Sequence, residues 1–275
     1  MRRIHLLSLF LAAPLLAEDA PQPWTHQLVG GVNLTQVALK DWAGGGEDAL
    51  AWTLSFEGKS ELGGGRFDWA NTYRFAFGQT KLGDQGIRKT DDKIDLESVL
   101  TFRMGTIVNP YIGATFKSQF AKGFDYGGAG QVAISQFFDP AYLTQSAGVG
   151  YQPRKEIKTR LGLALREVVT RDFNSFSDDD DTQKTEKTKV DGGLESVTEG
   201  EWQVVENTVL KSKVEVFVPL AAVGETVLRN DNTIVLKVND YLNVNLNIQL
   251  VSDETATTKT QVKEALAVGL SCAFL

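Results

Sequence analysis

The stretch Asn243-Val244-Asn245-Leu246-Asn247-Ile248-Gln249-Leu250 alternates an amide side chain with an aliphatic one at every step. Because successive side chains of an extended chain point to opposite sides, this alternation predicts a β-strand with one polar and one apolar face. The C-terminal segment has the same period, with Leu266, Val268, Leu270, Cys272 and Phe274 on one face and mostly small residues on the other. The chain is therefore predicted to end in strands that are apolar on one side only.

The two-residue period extends through most of the remaining chain. In the segment near residues 66–79, Phe67, Trp69 and Phe75 alternate with Asp68 and Arg74. Such alternation is typical of strands that bury or shield one face. Twelve strands are predicted, near residues 25–39, 49–62, 66–79, 91–104, 110–122, 143–153, 157–170, 190–198, 203–217, 231–239, 242–251 and 260–274.

The connections between these strands differ in length in a regular way. Tight turns are predicted at residues 63–65, 105–109, 154–156, 199–202 and 240–241. Longer loops are predicted at 40–48, 80–90, 122–142, 171–189, 219–230 and 252–259. Outer-membrane barrels have short periplasmic turns and longer external loops, with an even number of strands. The sequence thus predicts an all-β fold, a single closed antiparallel transmembrane barrel of about twelve strands in up-and-down order.

Alternation alone does not separate a membrane barrel from a soluble barrel or sandwich, which buries its apolar face inside. The charged rows opposite the apolar rows favour the membrane barrel, because twelve strands enclose a space too wide for hydrocarbon side chains to fill. A polar, charge-paired lumen suits that diameter. Seven cations are predicted to line the lumen and to set its selectivity: Lys93, Arg103, Lys117, Arg160, Arg166, Lys211 and Lys237. A soluble periplasmic protein stays open as the alternative.

The first seventeen residues have the composition of a cleaved export signal. Arg2 and Arg3 precede an apolar run that ends near Ala17. This run is shorter than the roughly 20 apolar residues that a membrane-spanning helix needs. Residues 18–275 are then predicted to form the mature barrel domain, located in the bacterial outer membrane.

Charge and cysteine content limit the partners. The formal net charge of -7 becomes -9 once Arg2 and Arg3 are removed, and such a surface disfavours nucleic acid. The single cysteine, Cys272, excludes an internal disulfide. Predicted partners are outer-membrane lipid, the outer-membrane assembly machinery, and a small solute or an envelope component. A closed barrel has no free sheet edge, which predicts a monomer. No cofactor is predicted.

The histidine count argues against Ser-His hydrolysis. His5 lies in the export signal, which leaves His26 at the start of the first strand. A triad needs an oriented histidine beside its nucleophile, so no catalytic residue is assigned. Ser-Lys or paired-carboxylate chemistry stays formally open, since Glu57, Glu61, Asp95 and Glu97 share the predicted lumen. Charged rows in a lumen more often form ion-pair networks.

Two loop features suggest binding. The run Asp178-Asp179-Asp180-Asp181 offers carboxylates for Ca²⁺, with Asp178 and Asp180 as weak candidates, but its spacing is not that of an EF-hand and also fits a solvated loop. Aromatic residues concentrate in two other loops: Trp42, Phe124, Tyr126, Phe138 and Tyr142. They are candidates for binding a sugar or a partner, or for an interfacial belt or a plug over the barrel mouth.

Several short sequence motifs resemble those of a known protein family. Among them are Trp42-Ala43-Gly44-Gly45-Gly46, Lys89-Thr90-Asp91-Asp92-Lys93, Phe116-Lys117-Ser118-Gln119-Phe120, Phe138-Asp139-Pro140-Ala141-Tyr142, Gly148-Val149-Gly150-Tyr151-Gln152-Pro153 and Leu236-Lys237-Val238-Asn239-Asp240-Tyr241. With these motifs nearly the whole mature chain resembles exported bacterial barrel proteins classified as domain of unknown function 3078. The resemblance implies an outer-membrane barrel and no established activity. One departure is the end, where Leu275 follows Phe274 although related barrels close on an aromatic residue.

Taken together, these features predict a small pore or ligand-passage protein rather than an enzyme. The alternative is a non-conducting structural or adhesive barrel that binds an envelope or extracellular partner through its long loops, particularly residues 122–142.

Overall fold

The computed structural model describes residues 24–40, 46–105, 107–127, 130–178, 182–254 and 257–273. Within these ranges the chain forms fourteen strands: β1 (Thr25–Val37), β2 (Ala49–Leu62), β3 (Phe67–Leu82), β4 (Arg88–Phe102), β5 (Val108–Ser118), β6 (Gly123–Asp125), β7 (Val132–Ser135), β8 (Ala141–Arg154), β9 (Ile157–Val169), β10 (Thr188–Val205), β11 (Thr208–Pro219), β12 (Val227–Lys237), β13 (Leu242–Asp253) and β14 (Thr257–Ala273). Single 3-10 turns occupy Asn174–Phe176 and Val223–Glu225. In the described ranges no helix has the length and apolar character needed to cross a membrane. The predicted export signal at 1–17 lies outside them.

Twelve of the strands close into one barrel. Their order is β1-β14-β13-β12-β11-β10-β9-β8-β5-β4-β3-β2, with every neighbouring pair antiparallel. The remaining strands, β6 and β7, form a separate two-stranded sheet in the connection from β5 to β8. The prediction of a twelve-strand, up-and-down closed barrel is confirmed.

The apolar rows of the strands face outward. On β9, Leu161 and Leu163 are 52% and 66% exposed, whereas Arg166 on the opposite face is 7% exposed. Water-soluble proteins show the reverse distribution, because exposed apolar surface is unfavourable in water. A closed barrel with an apolar exterior satisfies the backbone groups of its paired strands internally and can therefore sit in a lipid bilayer. This is the arrangement of a bacterial outer-membrane barrel, and the soluble alternative is wrong.

One predicted turn is wrong. Residues 199–202 lie inside β10, and the hairpin turn is at Glu206 and Asn207. Gly200 lies in this predicted turn, and a Cβ built on it would collide with the indole ring of Trp202. This indole therefore covers the glycine, and the strand continues through it. Other strand ends differ by fewer residues, for example at β12, which begins at Val227 rather than near 231.

Close backbone approach fixes the inner wall near β5, β8 and β9. Tyr111 is 2% exposed and lies beside Gly162 of β9. A Cβ on Gly162 would lie 2.5 Å from the Ala147 carbonyl oxygen and 2.7 Å from the Tyr111 hydroxyl. Only glycine leaves room for the tyrosine ring here, so this position packs the barrel interior with an aromatic side chain instead of a charged one.

Candidate functional site

Charged side chains from opposite walls meet inside the barrel around Glu97 of β4. Its Oε2 lies 2.7 Å from Nζ of Lys213, and its Oε1 accepts a hydrogen bond from Arg160. These cations belong to β11 and β9, which are five and three strands away around the barrel. The ion pairs therefore cross the lumen, since neighbouring strands alone do not bring these residues together.

The network extends on both sides of Glu97. Lys213 also lies 3.0 Å from Glu215, and Glu215 is bonded to Lys117 of β5. Arg74 of β3 lies 3.6 Å from the Asp95 carboxylate. We call this layer the lumen constriction; it consists of Arg74, Asp95, Glu97, Lys117, Arg160, Lys213 and Glu215. Four cations and three carboxylates nearly neutralise one another, which allows such a layer to be buried.

Three polar atoms of the constriction are buried without a hydrogen-bond partner among the described residues. They are Nη1 of Arg74, Oδ1 of Asp95 and Nε of Arg160. Buried polar atoms in a polar cavity are usually completed by water. The constriction therefore has the chemistry of a narrow, hydrated layer and not of a dry core.

A second charged layer lies on the external side of the constriction. Arg166 of β9 and Arg229 of β12 lie 3.4 and 3.7 Å from the same carboxylate oxygen of Asp253. Both guanidinium groups also lie over the ring of Tyr142, at 5.3 and 5.5 Å from its centroid. The space that these residues enclose with Lys117 and Glu215 is a cavity of about 30 Å³. The lumen is thus narrow at this level as well.

The seven predicted lumen cations separate into two groups. Lys93, Lys117, Arg160 and Arg166 reach across the lumen, and Lys93 lies 3.4 Å from Asp231 on the opposite wall. Arg103, Lys211 and Lys237 lie near the short-turn end of the barrel. There Arg103 pairs with Asp68, and the hydrogen bond that it donates to this carboxylate raises the pKa of Arg103. Their role in selectivity stays a prediction.

Three cations that contact lumen carboxylates were not among the predicted selectivity residues: Arg74, Lys213 and Arg229. The first two stand in predicted strands, and only their contacts across the barrel single them out. Arg229 fell in a predicted loop. The alternation Val227, Arg229, Asp231 would have assigned it to an inward row of β12.

The predicted aromatic loop residues do not converge on one site. Tyr142 faces the lumen with Arg166, whereas Phe138 packs on Phe116 with 5.4 Å between ring centroids. Phe124 and Tyr126 form a third pair at 6.3 Å. Trp42 lies outside the described residues. Their proposed binding role is therefore spread over separate positions.

Asp139 joins two external loops. It is 1% exposed, and its carboxylate accepts hydrogen bonds from the backbone N–H groups of Arg171, Asp172 and Phe173 at 3.0, 2.7 and 3.3 Å. Burial raises the pKa of Asp139, but these bonds and one from Gln136 lower it more, so the pKa lies below its ordinary value. The carboxylate thereby holds the connection from β5 to β8 against the connection from β9 to β10.

Metal and hydrolase candidates find little support in the described part of the chain. Asp178 accepts a hydrogen bond from the backbone of Glu186 at 2.8 Å, and Asp180 lies outside the described residues. Within the described ranges no three His, Cys, Asp or Glu side chains are grouped for a metal ion. His26 Nδ1 lies 2.9 Å from Ser60 Oγ, but the imidazole is exposed on the outer surface and stacks on Trp24. The pair is an interfacial polar contact beside an aromatic belt.

Several solved structures are similar to this chain over most of its length, at low sequence identity. The translocator domain of the autotransporter NalP from Neisseria meningitidis has a TM-score of 0.39 at 11% identity, covering 93% of this chain and 90% of that one. An outer-membrane channel from Pseudomonas putida F1 has a TM-score of 0.40 at 12% identity, covering 95% and 98%. The NanC porin gives 0.39 at 8% identity, covering 90% and 98%. Likeness at this level carries no argument about function.

No curated protein matches the sequence. A family model does match, over residues 34–124. This segment contains the motifs that begin at Trp42, Lys89 and Phe116. The motifs that begin at Phe138, Gly148 and Leu236 lie beyond it. The resemblance inferred from the sequence is thus confirmed over residues 34–124, where the chain matches the family described as Protein of unknown function (DUF3078).

Proposed function

We propose that this protein passes a small solute along a charge-lined lumen that is narrowed by the lumen constriction. The observation that carries the proposal is the set of ion pairs around Glu97, which joins β4 to β9 and β11 across the interior. A wide, open porin channel does not fit this arrangement. A narrow path fits it, because nearly balanced charges can exchange partners as a solute passes.

The composition of the constriction supports a hydrated route. Lysine side chains have long flexible stems, and Lys117 and Lys213 each have a carboxylate partner that can be exchanged within the same layer. The buried polar atoms without protein partners are of the kind that water completes. Small polar or anionic solutes are the class that such a layer would favour, since it holds one more cation than carboxylate.

Recording from single barrels in planar bilayers tests this function. We expect small, discrete conductance steps from the wild type and a lower preference for anions in the Lys117→Met and Lys213→Met variants. Lys184→Met, which removes an exposed cation from an external loop, is the matched control and should leave the selectivity unchanged. A wild-type barrel that never conducts, or lumen variants that behave like the loop variant, would contradict the proposal.

A non-enzymatic role is part of the same proposal. The lumen carboxylates Asp95 and Glu97 are the strongest candidates for acid-base chemistry, and both face arginine or lysine partners. These contacts assign both carboxylates to the ion-pair network and not to a catalytic dyad. Replacing Glu97 should therefore alter conductance and stability without removing an enzymatic activity.

The second candidate is a non-conducting barrel that attaches to envelope polymers. Its support is the external β6–β7 sheet with the turn after it, where Val132, Ile134 and Phe137 are 61%, 49% and 53% exposed. Exposed apolar side chains at this density are typical of binding surfaces. Deleting residues 122–139 should then abolish attachment of producing cells to immobilised envelope polysaccharide, with bilayer conductance unchanged.

A further inference from the structure

The seam between β1 and β14 is paired over a much shorter length than the rest of the barrel. Five residue pairs join the two strands, from Val29 with Ala273 to Asn33 with Gly269. Each of the other neighbouring pairs in the barrel shares at least eight among the described residues. Beyond Asn33 the two strands continue without pairing to each other.

The unpaired part lies on the external half of the wall. Leu34–Val37 pairs with β2 alone, and Thr257 and residues 261–268 pair with β13 alone, within the part of the chain described. Leu34 stands opposite Trp52, whose ring packs near Phe77 at the external end of the apolar band. Leu266 and Val268 are 70% and 55% exposed, so the outward side chains beside this edge are apolar like those of the paired wall.

An unpaired edge at this depth demands a physical explanation. Backbone N–H and C=O groups without partners are too costly to face hydrocarbon, and such edges are tolerated where they line a water-filled space. The inward residues beside the gap are small or uncharged: Thr35 on β1 and Ala265 and Ala267 on β14. The nearest lumen cation on β14, Lys263, is held by Asp91 of β4 at 2.8 Å. The gap is therefore bordered on its lumen side by small, uncharged side chains.

The outer side of the same seam is apolar. A groove of about 570 Å³ between Val32, Phe56 and Leu270 lies on the membrane-facing surface of the paired stretch, next to the gap. An apolar solute would meet a charged layer if it continued along the lumen axis, and crossing that layer would require separating its ion pairs. Leaving sideways, it would pass Thr35 and the two alanines of β14. It would then meet the outward aliphatic side chains of Leu34, Leu266 and Val268.

We propose that the gap between β1 and β14 is a lateral portal through which an apolar or amphipathic small molecule moves between the external lumen and the outer leaflet. The inference rests on the proposed passage function for its lumen entrance, and it adds a class of substrate and an exit route. Polar solutes take the axial route through the constriction, whereas apolar solutes leave through the wall.

The first test measures the gap directly. Thr35→Cys and Ala267→Cys are combined with Cys272→Ser, so that a disulfide can form only between the two strands. The control pair is Ser55→Cys with Ala76→Cys, which are registered partners on β2 and β3. A disulfide requires Cα atoms within about 7 Å, so we expect much slower oxidation of the portal pair than of the control pair. Equal oxidation rates would overturn the proposal.

The second test measures passage. A short bismaleimide bridges the introduced cysteines of each pair in intact Gram-negative cells, and entry of the apolar dye N-phenylnaphthylamine is followed by fluorescence. We expect the protein to accelerate dye entry several-fold. Bridging of the portal pair should return the rate to that of cells lacking the protein, whereas bridging of the control pair should have no effect. Dye entry that is indifferent to bridging would overturn the portal.

Two further outcomes distinguish the portal from the axial route and from association of two chains. Ion conductance in bilayers should persist after bridging, since the axial route is unchanged. If the barrel does not conduct ions but dye entry still depends on bridging, the axial function is refuted and the portal stands. Cross-linking of two chains through the cysteines introduced at positions 35 and 267, seen as a band of doubled mass, would assign the free edge to a second copy and overturn the portal.

Discussion

Replacement of Glu97 by glutamine is the most informative perturbation of the lumen constriction. The substitution keeps the shape of the side chain and removes its charge. Glu97 is bonded to Arg160 and lies 2.7 Å from Lys213 and 3.9 Å from Arg74. Its side chain is 4% exposed, so solvent screens these interactions little.

The contacts around Glu97 set the expected cost. Removing one partner of a buried ion pair destabilises a protein by roughly 3–5 kcal/mol, because the remaining charge stays buried without compensation. Lys213 keeps its contacts with Glu215 at 3.0 Å and Glu199 at 3.3 Å, so the cation that loses its carboxylate partner is chiefly Arg160. We therefore expect the lower end, about 3 kcal/mol. With a urea slope of about 3 kcal/mol/M, the unfolding midpoint falls by about 1 M.

Equilibrium unfolding in urea, followed by tryptophan fluorescence in lipid vesicles, measures this change. Glu61→Gln is the matched control, since the Lys59–Glu61 pair is as close, at 2.7 Å, but its side chains are 39% and 36% exposed. Exposed pairs contribute about 0–1 kcal/mol. In bilayers, Glu97→Gln should also shift the reversal potential toward anions, because it leaves three cations around an uncharged amide.

The double variant Glu97→Gln with Arg160→Met separates the pair from its surroundings. It removes the stranded cation as well, so it should lose less stability than the sum of the two single variants. Equal urea midpoints for Glu97→Gln and Glu61→Gln, or strict additivity in the double variant, would refute the view that a buried ion-pair layer spans the lumen.

Three further predictions concern the loops, the inner wall and the barrel itself. Asp139→Asn should weaken the loop clamp by about 1–3 kcal/mol and increase proteolysis of residues 119–140 at neutral pH. The folded pKa of Asp139 lies below its ordinary value of about 3.9. The wild-type clamp is therefore fully present above that value and is lost only as the pH falls through the lower, folded pKa. Fast hydrogen exchange of the backbone amides of Arg171–Phe173 already at neutral pH would contradict this. Gly162→Ala should cost about 1–3 kcal/mol because its Cβ would collide with the Ala147 carbonyl, whereas Gly86→Ala, with open space around it, should stay within about 0.5 kcal/mol in the same urea assay. The isolated outer-membrane protein should change its gel mobility on boiling, since a closed barrel resists detergent until heated; identical mobility before and after boiling would argue against closure.

Much of the architecture could be predicted because strand geometry is local. Side chains alternate with a period of two in any strand, so the rows at Asn243–Leu250 and along β9 could be assigned to faces from the sequence alone. One tight turn was predicted wrongly, at residues 199–202, where the strand continues and the ring of Trp202 lies over Gly200. A glycine without its neighbours does not reveal whether an aromatic side chain covers it.

The candidate site could be predicted only in its general character. Alternation along the chain was sufficient to show that charged rows face away from the apolar ones, and hence that a closed barrel in a membrane carries them inside. Only the folded barrel shows that Lys93 meets Asp231, 138 residues later, that Glu97 lies between Arg160 and Lys213, and that β1 and β14 share five pairs. This division has a physical reason. The residue order sets which face of the sheet a side chain takes. The stagger and curvature of the closed sheet set which residues on opposite walls reach the same height, and how far β1 and β14 pair with each other.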